Sequence, residues 1–458
     1  MGEVNSIIKQ PRLIFVNYSD IINWSVSYLI SNDFGYNKKY NLFKLGDFLK
    51  KNRNTIMVDD ESTYSRVTIK LYNKGVHKRD ELKGKGIGTK KQYLVKEGQF
   101  IISKIDARNG AFGIVPESLE GAITTADFLS YDIDVEKISP YFLTLLTATK
   151  QFSVYCQGAS SGTTGRQRIN EASFLNVNIP LPSLEDQRNM VDSYNDIIKL
   201  VKQKEQQATQ LEKDLDNYFF DVLGVEKNKD KKSLRGLQFI GYVNLHKWSL
   251  DSLLKENILN IEEGKYKTLN FKSIITFFEG GKTPSKSRAD FWNGAIAWTS
   301  PKDFNGIFIE KSQDHITDIA VQEAGMKVFP VGVFLSVFRS GILRHSFPTA
   351  ITQIETAINQ DLKAYAVNEK MLNKYYFLYF IHTFKDMILK RASKKSVTVE
   401  SINTEDFMEI LIPVPPMKIQ NEIVSTIEKM KAEIKSLQQQ AKEYRKSAIE
   451  EFEQAIFQ

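Results

Sequence analysis

Two long stretches of the chain repeat a pattern in which apolar side chains recur at alternating steps of four and three residues. The residues between them are mostly Gln, Lys and Glu, which favour helices, and neither stretch contains Gly or Pro. A 3.5-residue period sustained over about four heptads predicts a coiled coil. The repeat positions are Met190, Tyr194, Ile197, Val201, Lys204, Ala208, Leu211, Leu215, Tyr218 and Val222, then Ile423, Ile427, Met430, Ile434, Leu437, Ala441, Tyr444 and Ala448.

We expect the two helices to pair with each other as an antiparallel coiled coil, because their stripes match in phase and lack a wide apolar face. The alternative, in which each stripe is the core face of its own domain, stays open. Gly224 and the charged run 226–232 end the first helix and supply a link to the second half. The residues predicted to pair the helices are Ile197, Val201, Leu211, Leu215, Ile427, Met430, Ile434 and Leu437.

The rest of the chain mixes short β-rich segments with a few helices. Tyr93–Ser103 has the pattern of a strand, a turn and a strand. Tyr141–Phe152 and Met371–Leu389 are predicted to be helical, with aromatic side chains on the buried face. The order along the chain is therefore globular segment, helix, globular segment, helix.

The second half of the chain repeats the first. Phe174–Gln187 reappears as Phe407–Gln420, 233 residues later. This period is far longer than a solenoid unit, so it indicates a duplicated domain. Further matches are Gly98 with Gly332, Asp127 with Asp361, Tyr141 with Tyr375 and, near the start of each half, Trp24 with Trp248.

The fold class that follows is α+β. It consists of two tandem globular α/β domains, each followed by a long helix, as a pseudo-twofold internal repeat. The predicted bounds are 1–183 for the first domain, 184–223 for the central helix, 224–247 for a linker, 248–415 for the second domain and 416–458 for the C-terminal helix.

Composition narrows the class of protein. The chain has 458 residues, with 62 Lys and Arg against 55 Asp and Glu, and this net charge of +7 permits nucleic acid as a partner. The single cysteine, Cys156, excludes a disulfide framework and any zinc site that needs several cysteines. No apolar stretch approaches the ~20 residues of a membrane span, so we expect a cytoplasmic protein without a membrane partner.

Motifs for catalysis are incomplete. The five histidines are scattered without metal-ligand spacing. Gly280–Thr283 resembles the end of a phosphate-binding loop, but Thr276 occupies the place of its leading glycine. Glu81–Lys83 has the Glu-x-Lys order of a nuclease metal site, yet the candidates for its upstream acidic partner, Asp59 and Asp60, lie in a polar turn-like run. The sequence thus predicts no catalytic residue, metal site or bound cofactor.

Basic clusters are the remaining candidates for function. The segment Arg66–Arg108 holds twelve Lys and Arg against four Asp and Glu, enough to neutralise several phosphates. The alternative is a solvated surface without a partner. The second half has a sparser set of basic residues around Phe291 and Trp298. When the two halves are aligned, the pair Arg166 and Arg168 falls near the pair Lys394 and Lys395.

Several motifs resemble the DNA-specificity subunits of type I restriction-modification systems, and the resemblance spans nearly the whole chain. The inserted Lys282, and the replacement of the first half's Gly/Thr-rich segment by Ser393–Val399, depart from the family pattern. The matching motifs are Ser161–Arg168, Asn178–Gln187, Gly280–Lys286, Phe291–Gly294, Ala297–Asp303, Ala357–Asp361 and Leu411–Gln420.

This resemblance implies that each globular domain is a target recognition domain for one half of a bipartite site in double-stranded DNA. It implies that the paired helices set the distance between the half-sites and that two methyltransferase subunits dock on the chain, with restriction and translocase subunits joining through them. S-adenosylmethionine, ATP and Mg would then be bound by those partners and not by this chain. Because the two domains differ in their loops, the site is expected to be asymmetric.

The candidate DNA contacts are basic residues, since Arg and Lys bind guanine edges and phosphates. Two other classes stay open: an unrecognised nuclease or modification enzyme, and a coiled-coil adaptor without sequence-selective DNA binding. Base readout is assigned to Lys78, Arg79, Lys83, Lys85, Lys90, Lys91 and Arg108 in the first domain and to Lys282, Lys286, Arg288 and Lys302 in the second, with Arg166, Arg168, Lys394 and Lys395 as further DNA contacts, the two arginines on phosphates.

Overall fold

The computed structural model describes residues 36–161, 168–226, 261–394 and 399–457. They form two units: the first contains the described residues up to 205 together with those from 438 onward, and the second contains residues 206–437. The two long helices, α4 (Leu184–Leu223) and α10 (Met417–Phe457), therefore each contribute one half to each unit. Trp24, Trp248 and most of the predicted linker lie outside the described residues.

The first unit is built from short strands and three short helices besides its halves of α4 and α10. The strands are β1 Leu42–Lys44, β2 Leu49–Lys51, β3 Thr55–Met57, β4 Thr63–Ile69, β5 Val76–Lys83, β6 Lys91–Leu94, β7 Phe100–Ser103, β8 Phe112–Ile114, β9 Ile123–Thr124, β10 Phe128–Ile133, β11 Ser160–Ser161, β12 Arg168–Ile169 and β13 Asn178–Pro180. The helices are α1 Pro140–Ala148, α2 Lys150–Gly158 and α3 Glu171–Leu175.

Two sheets organise this unit. One has the strand order β2-β10-β7-β8 and is antiparallel throughout. The other has the order β3-β6-β9-β4-β5, and its longest strands, β4 and β5, form an antiparallel hairpin. The aromatic side chains of Phe100, Phe112, Phe152 and Phe174 stack or meet edge to face in the core between the first sheet and α1–α3.

The end of the last helix completes this core. Phe452 and Ile456 of α10 are buried within the same apolar cluster as Phe142 and Leu146 of α1. The rings of Phe142 and Phe452 meet edge to face at 5.8 Å, and Glu453 accepts a hydrogen bond from the backbone N–H of Lys150 at 3.0 Å. The first unit is thus assembled from both ends of the described chain.

The second unit is likewise built around one five-stranded and one four-stranded sheet. Its strands are β14 Thr268–Asn270, β15 Ile275–Gly280, β16 Trp292–Thr299, β17 Phe308–Ile309, β18 Asp314–Ile316, β19 Val328–Phe329, β20 Phe334–Val337, β21 Thr349–Thr352, β22 Thr356–Ile358, β23 Leu362–Val367, β24 Ser393–Lys394, β25 Ser401–Ile402 and β26 Leu411–Pro413. Its short helices are α5 Phe271–Ile274, α6 Asp318–Glu323, α7 Lys374–Thr383, α8 Lys385–Ala392 and α9 Thr404–Met408.

The sheets of the second unit have the orders β15-β23-β20-β21-β17 and β18-β16-β22-β19. Tyr376 and Phe377 of α7, and Phe384 between α7 and α8, lie in the core. From α4, Phe219 stacks on Tyr376 and Phe220 contacts Phe384. Near the start of α10, Ile423 and Ile427 join the same cluster. Both long helices therefore help to form the core of this unit.

The duplicated segments have the same structure in both units. Strand β1 pairs antiparallel with β13 just before α4, and β14 pairs antiparallel with β26 just before α10. Gly98 and Gly332, matched in the sequence, both have positive φ, of 75° and 90°, in the turn that precedes β7 and β20. The predicted α+β fold with an internal repeat and two long helices is confirmed.

The predicted helices at Tyr141–Phe152 and Met371–Leu389 are each two helices in the structure. Thr149 ends α1 and caps α2: its hydroxyl donates to Leu146 O at 2.7 Å and accepts from Phe152 N–H at 3.3 Å. Its extended backbone, with ψ near 152°, breaks the continuous helix that the apolar pattern predicted. In the second unit, Phe384 separates α7 from α8.

The long helices are antiparallel where they meet. In the first unit, Met190 and Tyr194 pack in a cluster with Phe452 and Ile456, whereas Glu205, further along α4, accepts a hydrogen bond from Arg445 at 2.8 Å. In the second unit, Ala208, Leu211 and Leu215 of α4 pack with Ile434 and Leu437 of α10. Of the other positions chosen for pairing, Val201 and Ile427 are buried, and Ile197 and Met430 are half-buried.

Candidate nucleic-acid interface

Three of the predicted DNA contacts, Lys78, Arg79 and Lys83, lie on β5 with exposed side chains. Each has an acidic neighbour. Lys78 Nζ is 2.6 Å from Glu81, Arg79 Nε is 3.7 Å from Asp80, and Lys83 Nζ is 3.8 Å from Glu61. Exposed ion pairs of this kind contribute little to stability, so these cations can exchange their carboxylate for a phosphate at low cost.

The β4–β5 hairpin is braced by one stronger pair. Arg66 of β4 donates to both carboxylate oxygens of Asp80 on β5 at 2.7 Å, and this hydrogen bonding lowers the pKa of Asp80. The hydrogen bond from Lys78 likewise lowers the pKa of Glu81. Both carboxylates therefore stay charged at neutral pH, and they partly offset the local positive charge.

The next cations surround a tight turn at Gly84. Lys90 binds the Asp60 carboxylate and donates to Gly84 O at 2.8 Å, so it closes this turn. Lys85 and Lys91 are exposed, and their ammonium groups have no partner in the described part of the chain. A Cβ atom at Gly84 would lie 1.8 Å from Asp59 O, so the glycine is needed for a close approach of two backbone segments.

The remaining predicted arginines of the first unit are Arg108, Arg166 and Arg168. Arg108 lies half-buried in the 3-10 turn Ala107–Asn109, and its carbonyl accepts a hydrogen bond from Ser153 of α2 at 3.2 Å. Arg168 of β12 donates to Asp127 at 3.0 Å. Arg166 lies outside the described residues.

In the second unit, Arg288 is engaged on several sides. It donates to Asp290 at 2.8 and 2.6 Å and to Glu323 at 2.8 Å, and its guanidinium lies 4.2 Å from the centre of the Phe291 ring. The hydrogen bond from Arg288 lowers the pKa of Asp290. Arg288 therefore helps to hold the segment before β16, and its role as a DNA contact stays a prediction.

Among the described residues, the other predicted cations of this unit have at most one acidic partner each. Lys302 pairs with Asp314 at 2.8 Å. The side chains of Lys282, Lys286 and Lys394 have no ion-pair partner among residues 36–161, 168–226, 261–394 and 399–457. A Cβ atom at Gly281 would lie 2.1 Å from Ile358 O. This close packing accounts for the glycine, so a phosphate-binding role is not needed to explain it. Lys395 lies outside the described residues.

The second unit also has a groove that the count of basic residues missed. It has a volume of about 530 Å³ and is lined by Pro301, Arg339, Ser340, Gly341, Asp361 and Val399. Arg339 donates to Asp361 at 2.7 Å, with its side chain 58% exposed. An arginine held by one acid still presents donors that can form bidentate hydrogen bonds with a guanine edge.

The internal repeat marks one residue that lines this groove. Asp127 and Asp361 match in the repeat, and each holds an arginine. The arginine is Arg168 of β12 in the first unit, but Arg339, which follows β20, in the second. The matched aspartates could have identified the position of Asp361 from the sequence. Arg339 could not be found in this way, because it stands outside any basic run.

Within the described ranges, no group of three or more His, Cys, Asp or Glu side chains could hold a metal ion, and no helix is long and apolar enough to cross a membrane. Asp59, considered above for a nuclease site, accepts the backbone N–H groups of Glu61 and Ser62 in a turn. Cys156 is fully buried, and its burial raises the pKa of the thiol. These groups have structural roles.

The sequence of this chain is similar to those of known proteins. Residues 37–213 and 263–443 match the family described as "Type I restriction modification DNA specificity domain". The chain is 34% identical over 176 residues to the Escherichia coli type I restriction enzyme EcoR124I/EcoR124II specificity subunit, and 29% identical over 178 residues to the MjaIX specificity subunit of Methanocaldococcus jannaschii. Each match covers 38% of this chain, with 43% and 40% of the respective relatives.

Solved structures support the fold at lower identity. The HsdS subunit of Thermoanaerobacter tengcongensis is similar over 92% of this chain and 97% of its own, with a TM-score of 0.50 at 15% identity. A chain from a structure of type I R-M system assembly and conformational transition covers 91% of this chain and 97% of its own, with a TM-score of 0.60 at 16% identity. The two matched segments span most of the sequence, and the chain belongs to the family of type I restriction modification DNA specificity domains, of which it carries two copies.

Proposed function

We propose that this chain is the DNA-specificity subunit of a type I restriction-modification complex and that it recognises an asymmetric two-part sequence in double-stranded DNA. The observation that carries the proposal is the duplicated specificity domain on a frame of two long helices. Each copy presents exposed cations, as expected for contacts with phosphates and base edges.

Asymmetry of the target follows from the differences between the two copies. The first domain has a basic hairpin in which strand β4, of seven residues, pairs with strand β5, of eight residues. The second has instead the groove at Arg339 and the aromatic segment at Phe291–Trp298. Two surfaces of different shape and charge select different base sequences, so the half-sites are expected to differ.

The chain acts in this proposal without catalysis of its own. Two methyltransferase subunits dock on it, and restriction and translocase subunits join through them. S-adenosylmethionine, ATP and Mg belong to those partners, where they supply the methyl group, the energy for translocation and the metal for cleavage. The complex works on DNA in the cytoplasm.

The test is single-molecule sequencing of DNA from cells that make this chain together with its methyltransferase partner, beside cells that make the partner alone. A methylated two-part motif with unlike halves that appears only with this chain supports the proposal. Identical methylation in both cultures, from a complex shown to be assembled, would contradict it. Cutting of DNA by the isolated chain with Mg would favour an enzyme instead, and salt-dependent binding without sequence preference would favour an adaptor.

A further inference from the structure

The turn between β4 and β5 holds two consecutive residues in the left-handed region. Tyr72 has φ of 60° and Asn73 has φ of 56°. Asparagine tolerates this conformation, but a bulky side chain such as tyrosine is strained there. Glycine or asparagine would fit the backbone of this turn with less strain, so packing of the turn alone does not explain a tyrosine at 72.

The surrounding structure fixes this turn. Tyr72 N–H donates to Asn109 O at 2.8 Å, and Asn73 N–H donates to Gly110 O at 2.9 Å. The acceptor segment, with Gly110 at φ of 71°, is itself tied to α2 through the hydrogen bond from Ser153 to Arg108 O. The strained backbone is therefore imposed from outside the turn, which is the arrangement found where strain serves a function.

The tyrosine side chain lies largely in solvent among the described residues. It is 73% exposed, and Leu71 beside it is 37% exposed. Lys70 and Lys74 flank the pair in the sequence, and both are exposed. An apolar tip between cations is complementary to DNA, where lysines meet phosphates while a ring enters the stack of bases.

We propose that Tyr72 is a wedge that stacks on a base step of the half-site bound by the first domain, with Lys70 and Lys74 on the adjacent phosphates. This inference rests on the proposed function and extends it to one residue and one mode of contact. The wedge discriminates by the ease with which a base step opens, since pyrimidine–purine steps unstack most easily.

The experiment uses the full chain and duplexes that carry the mapped two-part site. Tyr72→Asn removes the ring and suits the left-handed backbone. We expect its melting temperature to rise by about 2–4 °C, as for relief of local strain. Affinity for the duplex is expected to fall roughly 5- to 150-fold, the range measured for loss of one base–aromatic stack.

Two variants separate stacking from other effects. Tyr72→Phe keeps the ring and is expected to bind nearly as the unaltered chain does. Tyr141→Asn replaces a tyrosine of the same unit that is 70% exposed on α1, and its affinity is expected to stay unchanged. A 2-aminopurine scan of the first half-site should show a fluorescence change at one step, present with Tyr72→Phe and absent with Tyr72→Asn.

Unchanged affinity of Tyr72→Asn, or equal losses in Tyr72→Asn and Tyr72→Phe, would overturn the wedge while leaving the proposed function intact. An unaltered chain that binds every duplex alike would overturn the proposed function, and the wedge with it.

Discussion

Gln187 and Gln420, which lie 233 residues apart, make the same set of hydrogen bonds. Each is the fourth residue of a long helix and is fully buried. Each side-chain oxygen accepts a hydrogen bond, at 2.7 Å, from the backbone N–H of the residue that caps a short helix of the same unit. Each side-chain nitrogen donates to two backbone carbonyls. The partners are Ser139 N–H, Lys137 O and Pro182 O for Gln187, and Asn373 N–H, Met371 O and Pro415 O for Gln420.

The first prediction is that Gln187→Met loosens the first unit. Methionine has a similar volume but leaves one backbone N–H and two carbonyls unsatisfied, at about 1–3 kcal/mol for each buried group. Hydrogen–deuterium exchange should therefore accelerate in α1. Gln420→Met should do the same in α7 instead. The matched control is Gln210→Met, at an exposed position of α4. Accelerated exchange of α1 in this control, or unchanged exchange of α1 in Gln187→Met, would contradict this role.

A second prediction concerns Phe452, which meets Phe142 in the core of the first unit. Phe452→Ala removes a buried ring, and such truncations cost about 3–5 kcal/mol. We expect peptides from α1 and β10 to exchange faster, although they lie some 300 residues earlier in the chain. Gln454→Ala, an exposed change in the same helical turn, serves as the control. Unaltered protection in the first unit would show that the end of α10 is dispensable.

These two sites show what the sequence could predict. The matched segments around Gln187 and Gln420 indicated a common structure, because a register of repeated residues implies repeated packing. The contact between Phe142 and Phe452 could not be predicted, since the heptad pattern assigns α10 to helix pairing and says nothing of a distant core. The breaks at Thr149 and Phe384 were missed because side-chain capping overrides the apolar period.

For the candidate interface, the sequence located the cations but not their partners. The charge pattern treated Arg288 and Lys286 alike, yet only the first is held by two carboxylates, one of them at Glu323. Arg339 was missed because a single arginine carries no charge-run signal. Tertiary pairing, which is set by the fold, distinguishes cations that the charge pattern treats alike.

A third prediction concerns pH. His382 is mostly buried and lies against Thr349 O at 2.8 Å, with Lys385 and Lys431 nearby, and burial lowers the pKa of its imidazole below 6.5. A lowered pKa in the folded state means that the unfolded state binds the proton more readily. The stability that depends on neutral His382 is therefore fully present above about pH 6.5 and is lost as pH falls toward the lower folded pKa. Thermal melts from pH 7.5 to 5 measure it.

The control for this pH effect is His382→Gln, which can keep a hydrogen bond to Thr349 O but does not titrate. Its melting temperature should vary less between pH 7.5 and 5 than that of the unaltered chain. The same slope in both proteins would exclude His382 as the source of the acid sensitivity.

The fourth prediction assigns Arg339 to the half-site of the second domain. Arg339→Gln removes the guanidinium beside Asp361, and losing a bidentate base contact costs about 1–3 kcal/mol and relaxes one position. Affinities for duplexes with each base changed in turn reveal this pattern. The control is Arg445→Gln, whose arginine is 59% exposed against 58% for Arg339 and is likewise paired with one carboxylate. Uniform weakening toward every duplex would assign Arg339 to phosphate binding instead.

The last prediction tests the long helices as a ruler, and it rests on the proposed function. One heptad is inserted after Glu205 in α4 and another after Leu437 in α10, where each helix passes from one unit to the other. Seven residues add about 10.5 Å of helix and keep the coiled-coil register. DNA rises about 3.4 Å per base pair, so the gap between half-sites should widen by about three base pairs with both half-sites unchanged. A heptad in α4 alone displaces the pairing residues and should weaken binding to either spacing. Methylation mapping reports the gap directly, and a gap that stays constant in the doubly extended chain would show that the helices do not set it.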